Sequence, residues 1–424
     1  MERYPKILII NSESLYKNNA TGITLRSIFK EWPSDSIMEL YIWNSSQINK
    51  EALKIKSFKI PAKTLSLNLF LRKLTKSSIS EESSGNKFGS YNDGKNISFT
   101  HSLKEYVKYI VESNMININC ILKILKENNF IPDVIYTLGG SFSVMNIACK
   151  IADYYSCHIC LHYMDNWRET LFIDTCSIFK LNKKINNLAN QVEKRSKCSM
   201  VISSQMKIAY ENQRSIKCCV LMNSIKEFKT PLLNKDENKI KIIYAGGLHL
   251  KRYESLKKIE QAIRDINDEK IQLIIYTSDK DREAYSAIFS NEITKFKNFI
   301  PHDQVDKIYQ EADILVHIES FDKNKIMFTK YSLSTKIPEY MISSKPILCF
   351  APAELTVHKY INENKVGIST SNEVELQSAI KKLVSDKELR KFLGNNGVIC
   401  AKKNHTIEHA HKIMKKVMIM NCGE

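Results

Sequence analysis

The chain is 424 residues long, 43% hydrophobic and 26% charged, the proportions of ordinary globular domains. That composition excludes a collagenous, mucin-like or largely disordered chain, and the length predicts two or three domains at about 100–200 residues each. The formal net charge is +17, and residues 1–225 hold 30 Lys+Arg against 19 Asp+Glu, so the basic surplus is concentrated in the first half.

Residues 6–10 (KILII) form a continuous apolar run, expected of a parallel strand buried on both faces. The residues before it lack the pattern of a secretory leader, and no apolar stretch reaches the roughly 18 residues of a membrane span, so a cytoplasmic protein is expected. A polar stretch ends in Thr21-Gly22. Apolar residues then recur at helical spacing (Ile23, Leu25, Ile28, Phe29, Trp32), and residues 39–43 read as a second strand. Strand, loop and helix in that order predict an α/β sheet.

No acid occurs between Ala52 and Ser80, where Lys54, Lys56, Lys59, Lys63, Arg72, Lys73 and Lys76 mix with apolar residues such as Leu65, Phe70 and Leu74. Three readings are open: a solvated basic surface, a surface resting on anionic lipid at roughly 1 kcal/mol per cation, or a nucleic-acid surface. No nucleic-acid motif accompanies the charge, so nucleic acid is not an expected partner. Residues 76–100 are Ser/Asn/Gly-rich and predict a surface loop. A helix is predicted over 101–128, a strand over 130–138, a turn at Gly139-Gly140-Ser141 into a helix over 142–155, and strands over 157–163 and 199–203.

A Lys-rich linker over 223–239 separates this pattern from a second one, with strands predicted at 240–244, 272–276, 296–300, 314–318 and 346–350. Residues 401–420 read as a basic helix. The expected fold class is therefore α/β, with two doubly wound Rossmann-like domains facing a cleft. The domains are 1–222 and 223–400, and a last helix at 401–424 returns to the first. Ligands of such sheets bind at the carboxyl ends of the strands. The 11 cysteines are scattered through apolar segments, as buried reduced thiols would be. Cys157-His158-Ile159-Cys160 has a zinc-like spacing but no second pair to complete a site.

Four segments sit where chemistry is expected. In the segment 331–341 (YSLSTKIPEYM), Ser334 or Thr335 would cap a helix begun by Lys336, which is suited to phosphate. Glu339, one turn on, is placed to accept hydrogen bonds from ribose hydroxyls. After the strand at 240–244, Gly246-Gly247 lets a ligand approach the backbone, and Lys251 and Arg252 follow as cations for a diphosphate. Thr21-Gly22 follows the first strand in a similar way. His162 and Asp165 come at the end of the strand at 157–163, in reach of a substrate. For each, an ordinary turn, cap or buried histidine is the competing reading.

Together these segments resemble one family, the GT-B glycosyltransferases, in particular the retaining, metal-independent, family-4-like group that builds bacterial surface polysaccharides. The motifs are "TGITLRSIF", "PDVIYTLGG" and "HYMDNW" in the first half, and "YAGGL", "ADILVHIESFD", "YSLSTKIPEYMISSKPIL" and "YINENKVGI" in the second. The resemblance implies an acceptor domain followed by a nucleotide-sugar domain. It matches Glu339 to the donor-ribose glutamate, Lys251 or Arg252 and also Lys336 to phosphate-binding cations, Gly22 to a glycine loop near the donor phosphates, and His162 to a histidine near the reacting sugar. One departure stands out: where many members carry a second glutamate, eight positions before the first, this chain has Tyr331. Glu319 is the candidate substitute, at a different spacing.

The expected activity is transfer of a sugar from a nucleotide diphosphate sugar to a hydroxyl of a growing, lipid-linked glycan, with retention implied by the resemblance. No cofactor and no metal are expected, since Asp279-Lys280-Asp281 has the letters of a metal motif in the wrong context. Cations would instead neutralise the leaving diphosphate. The expected location is the cytoplasm, with peripheral contact at the inner face of the cytoplasmic membrane left open. The alternatives are a catalytically weak, nucleotide-sugar-binding partner subunit or a sugar-nucleotide epimerase.

Overall fold

The computed structural model describes residues 4–17, 19–43, 53–60, 99–114, 117–225, 239–301 and 304–422. The chain forms two compact units, one of residues 1–222 with 407–424 and one of residues 223–406.

The first unit holds a seven-stranded sheet in the order β3-β2-β1-β4-β5-β6-β7. Its strands are β1 (Ile7–Glu13), β2 (Ile37–Trp43), β3 (Lys56–Lys59), β4 (Val134–Thr137), β5 (His158–Tyr163), β6 (Ser199–Val201) and β7 (Cys218–Val220). All the pairings are parallel. Ile7 to Ile10 are completely buried, which is why that run shows no alternation: helices cover both faces. β3 is an edge strand. Its sequence, KSFK, reads as part of the basic segment because Lys56 and Lys59 are exposed, and lysines on an edge discourage pairing with a further strand. Lys63, Arg72, Lys73 and Lys76, the predicted loop at 76–100 apart from its last two residues, and most of the predicted linker lie outside the described residues.

Two predicted helices divide differently in the structure. The stretch 101–128 becomes Phe99–Asn114 and Ile118–Glu127, with Asn117 capping the second through its side chain. The stretch 401–420 is broken. The helix Lys387–Asn404 ends at His405, and a new helix runs Ile407–Asn421. His405 is fully buried; its Nδ1 lies 2.7 Å from the Asn223 carbonyl and its Nε2 2.7 Å from the Tyr360 hydroxyl. Thr406 bridges to Ile225. These partners turn the chain where periodicity alone would carry a helix through.

The helix Ile407–Asn421 completes the core of the first unit. Ala410, Met414, Val417 and Met418 fall on one face and pack with Ile7, Leu25, Phe29 and Tyr136. Asn421 fastens its end: Oδ1 accepts from the backbone of Lys197 (3.0 Å) and Cys198 (3.3 Å), and Nδ2 donates to the Cys198 carbonyl (2.9 Å).

The second unit holds a six-stranded sheet in the order β10-β9-β8-β11-β12-β13. The strands are β8 (Ile240–Ala245), β9 (Ile271–Tyr276), β10 (Thr294–Lys297), β11 (Ile314–Ile318), β12 (Ile347–Phe350) and β13 (Gly367–Thr370), again all parallel. The strand order reverses between β8 and β11, and in a doubly wound sheet that reversal opens a crevice at the carboxyl ends. The α/β fold class expected from sequence is the fold observed. β7 and β13 escape sequence reading because three or four residues carry too little periodicity, and β10 begins two residues earlier than predicted.

Replacing Asn421 with Ala would strand the backbone groups it satisfies. We expect a loss of about 2 kcal/mol, read as a lower thermal midpoint for the transition of the first unit with that of the second unchanged.

Candidate functional site

The sheet reversal between β8 and β11 gathers most of the predicted residues of the second unit. β8 ends at Ala245 and the chain turns through Gly246-Gly247 into the helix Arg252–Ile266. Leu250 and Lys251 both take φ near +60°, a conformation costing about 1–3 kcal/mol for each non-glycine residue. Asp281 secures the turn, with Oδ2 accepting from Leu248 N at 2.9 Å and from Thr277 Oγ1 at 3.2 Å. The aspartate with metal-motif letters is thus a brace for the glycine turn.

Lys336 enters from the helix Lys336–Ile342. Its Nζ donates to the Ala245 carbonyl at 2.9 Å and lies 4.8 Å from the centre of the Tyr244 ring. A Cβ at Gly246 would collide with that nitrogen, so glycine is what allows the ammonium to rest on the turn. The Tyr244 hydroxyl donates to the Gly247 carbonyl at 2.8 Å. Burial, and next the charge of Arg252, lower the Lys336 pKa to about 8. Among the described residues no carboxylate forms an ion pair with it. This depressed value means the charged lysine weakens the fold; stability rises as pH climbs from about 8 toward the ordinary 10.5.

The other two cations are matched. Arg252 Nη2 lies 3.0 Å from both carboxylate oxygens of Glu319, at the end of β11. His317 Nε2 is 3.2 Å from Glu319 Oε1. Burial opposes ionisation of Glu319, but Arg252 and His317 outweigh it and lower its pKa to about 2. Lys251 Nζ pairs with Asp322 Oδ2 at 3.1 Å. Glu339 sits one turn into the lysine's helix, 3.4 Å from the Tyr309 hydroxyl. Burial and then Asp306 raise its pKa to about 7. Thr335 occupies the N-cap position without a side-chain bond, while Ser334 Oγ accepts from Lys336 N at 3.4 Å. The helix is only seven residues long, so the anion-attracting element here is the ammonium rather than a helix dipole.

The predicted residues of the first unit are placed differently. Gly22 is in the first turn of the helix Ala20–Ile28, where Asn19 Oδ1 accepts from its N–H at 2.8 Å. A Cβ there would run into the Lys17 carbonyl, so close packing on the preceding loop requires glycine. Thr21 beside it is exposed. His162 has no exposed surface; its Nδ1 is 2.7 Å from the Tyr136 hydroxyl, and burial lowers its pKa to about 3. As placed, it is a neutral interior side chain. Asp165 is half-buried just past β5.

His317, Tyr244, Asp281 and Asp322 escaped sequence reasoning. His317 and Tyr244 look like core positions of their strands, and only the tertiary pairing gives them a part. Among the described residues no group of three His, Cys, Asp or Glu gathers to hold a metal, and no helix is long and apolar enough to cross a membrane.

Residues 225–398 match the family model Glycosyl transferases group 1. Over those residues the chain is similar to the glycosyl transferases of that family. That domain makes up most of the second unit and includes every residue of the cation cluster. Solved structures show the same GT-B fold over nearly the whole length. Anabaena Alr3699/HepE in complex with UDP and glucose is 11% identical, with 98% of this chain and 100% of that one covered and a TM-score of 0.61. Sucrose-phosphate synthase from Thermosynechococcus elongatus is 12% identical, with 98% of each chain covered and a TM-score of 0.58. No curated protein sequence matches the chain.

The Arg252–Glu319 pair sets a condition on mutagenesis of this site. Arg252→Ala leaves a buried carboxylate with only His317 beside it, and we expect a loss of about 3 kcal/mol. Adding Glu319→Gln should restore most of that loss. Denaturant midpoints of the single and double variants would show the recovery, and two losses that simply add would break the assignment.

Proposed function

We propose that the enzyme transfers a sugar from a nucleotide diphosphate sugar to a hydroxyl of a growing glycan, without a metal and with retention of configuration. The observation that carries this reading is the Lys336 ammonium, held on the Gly246 turn beside Glu339 and lacking a carboxylate partner. An anion arriving at Nζ would supply the missing countercharge. A charge-assisted hydrogen bond of that kind contributes about 1.5–3 kcal/mol when desolvated. Glu339, ionised, would accept from the ribose hydroxyls. Arg252 and Lys251 stand one layer back and would exchange part of their carboxylate pairing for phosphate oxygens as negative charge develops on the leaving group. Thr21 and Gly22 would lie near the donor phosphates, and His162 and Asp165 near the reacting sugar.

The acceptor we favour is a lipid-linked glycan of cell-envelope polysaccharide assembly, which suits a basic first half. Of the basic segment, Lys54, Lys56 and Lys59 are described and exposed. The competing reading, a nucleotide-sugar-binding partner subunit with little activity, draws on Tyr331 standing where a sugar-binding glutamate is common, and on Glu319 being engaged with Arg252 and His317.

A thermal-shift panel of UDP-, GDP-, ADP- and CMP-linked sugars names the donor, with UDP-sugars first because UDP occupies the HepE structure. With that donor, Lys336→Ala should cut turnover by on the order of 10²-fold without loss of fold, and EDTA should leave activity unchanged. Donor binding without turnover on any acceptor would favour the partner-subunit reading; near-normal turnover of the lysine variant would remove the phosphate site.

The two shifted groups also define a pH window. Lys336 loses its proton above about 8 and Glu339 gains one below about 7, so donor affinity measured by calorimetry should peak between those values and fall on both sides. In Lys336→Arg the alkaline fall should disappear.

A further inference from the structure

The first unit carries a basic surface on the helix Phe99–Asn114 and the turn Ser177–Phe179. On the helix Phe99–Asn114, Phe99 and Leu103 lie one turn apart and are 58% and 43% exposed. The inner side of the helix is anchored: Tyr109 packs on Phe142 at 4.5 Å between ring centres, and Ser102 Oγ accepts from Cys176 N at 2.8 Å. The turn Ser177–Phe179 closes alongside, with Phe179 against Phe99 (5.7 Å) and Tyr106 (4.9 Å). Ile178, next to it, is 72% exposed. Large apolar side chains from two elements therefore form one outward ridge where solvent-facing polar residues would be ordinary.

Exposed lysines accompany the ridge in sequence. Lys104 adjoins Leu103, about 100° round the helix, Lys108 lies one turn on from Lys104, and Lys180 and Lys183 follow the turn. All four are exposed. Lys108 leans toward Glu105 and Glu112 at 3.9 and 4.0 Å; no carboxylate pairs with Lys104, Lys180 or Lys183 among the described residues. The nearby acid Asp174 faces His101 at 3.9 Å.

We propose that this face seats the protein on an anionic lipid bilayer, with Phe99, Leu103 and Ile178 in the headgroup layer and the lysines on lipid phosphates. The combination decides between partners. Nucleic acid would reward the lysines but not an isoleucine and a phenylalanine held out into water. A bilayer surface rewards both, since apolar insertion and cation attraction act together in interfacial binding. The inference deepens the proposed function by naming the surface that would bring the enzyme to a lipid-linked acceptor, and its test reads lipid partition rather than sugar transfer, so the two fail separately.

Co-sedimentation of the full chain with vesicles of phosphatidylcholine alone, and of phosphatidylcholine with phosphatidylglycerol, tests it. We expect binding to the anionic vesicles and little to the neutral ones. Leu103→Ser with Ile178→Ser, and separately Lys180→Glu with Lys183→Glu, should each lower the partition coefficient at least about tenfold, at unchanged thermal midpoint and unchanged donor binding. Equal binding to both vesicle types, no binding to either, or full partition retained by either variant overturns the proposal. So does a dimer in sedimentation velocity that the Leu103/Ile178 variant dissolves, because the ridge would then be covered by a second copy.

Discussion

Three cations converge where β8 and β11 end, and among the described residues one of them, Lys336, has no carboxylate in an ion pair with it. Arg252 is held by Glu319 and Lys251 by Asp322, whereas Lys336 rests on a main-chain carbonyl and an aromatic face. That imbalance organises the second unit. The reversal of strand order brings the two strand ends together, Gly246 keeps the space beside the ammonium free of a side chain, and Asp281 keeps the glycine turn from relaxing. The result is a cluster whose charge is set in advance at the expense of the protein's stability, as the proposed role in binding an anion requires.

The Arg252 pairing also changes what the arginine can be asked to do. Its guanidinium is a structural half of a buried pair before it is a ligand contact. Glu319 is also the charged neighbour of the buried His317, whose Nε2 lies 3.2 Å from Oε1. The residue that follows β11 thus bears on the cation cluster through an arginine of another helix, although nothing in its sequence spacing suggests that role.

Much of the fold was legible because parallel strands buried on both faces write themselves as short apolar runs: residues 6–10 and 314–318 are examples. Glycines at strand ends marked the turns. The site was legible where a residue type implies its chemistry regardless of context, as with Lys336 and Glu339 a turn apart. It was illegible where pairing decides the role. Lys251 and Arg252 look alike in sequence but face different carboxylates, and His162 looks like a ligand-facing histidine until the sheet closes over it. β3 was hidden by its own protection, since the lysines that guard an edge erase the apolar signal of a strand.

One consequence of the chain path concerns the order of events during synthesis. Ala410, Met414 and Val417 fill the first unit's interior, yet the whole second unit is made between them and the rest of that interior. On the ribosome, the earlier-made portion must wait with an uncovered apolar seam while the later-made α/β unit is already able to fold, the reverse of the usual amino-to-carboxyl sequence. Nascent chains stalled before residue 407 should therefore be a natural client for chaperones that bind exposed nonpolar surface.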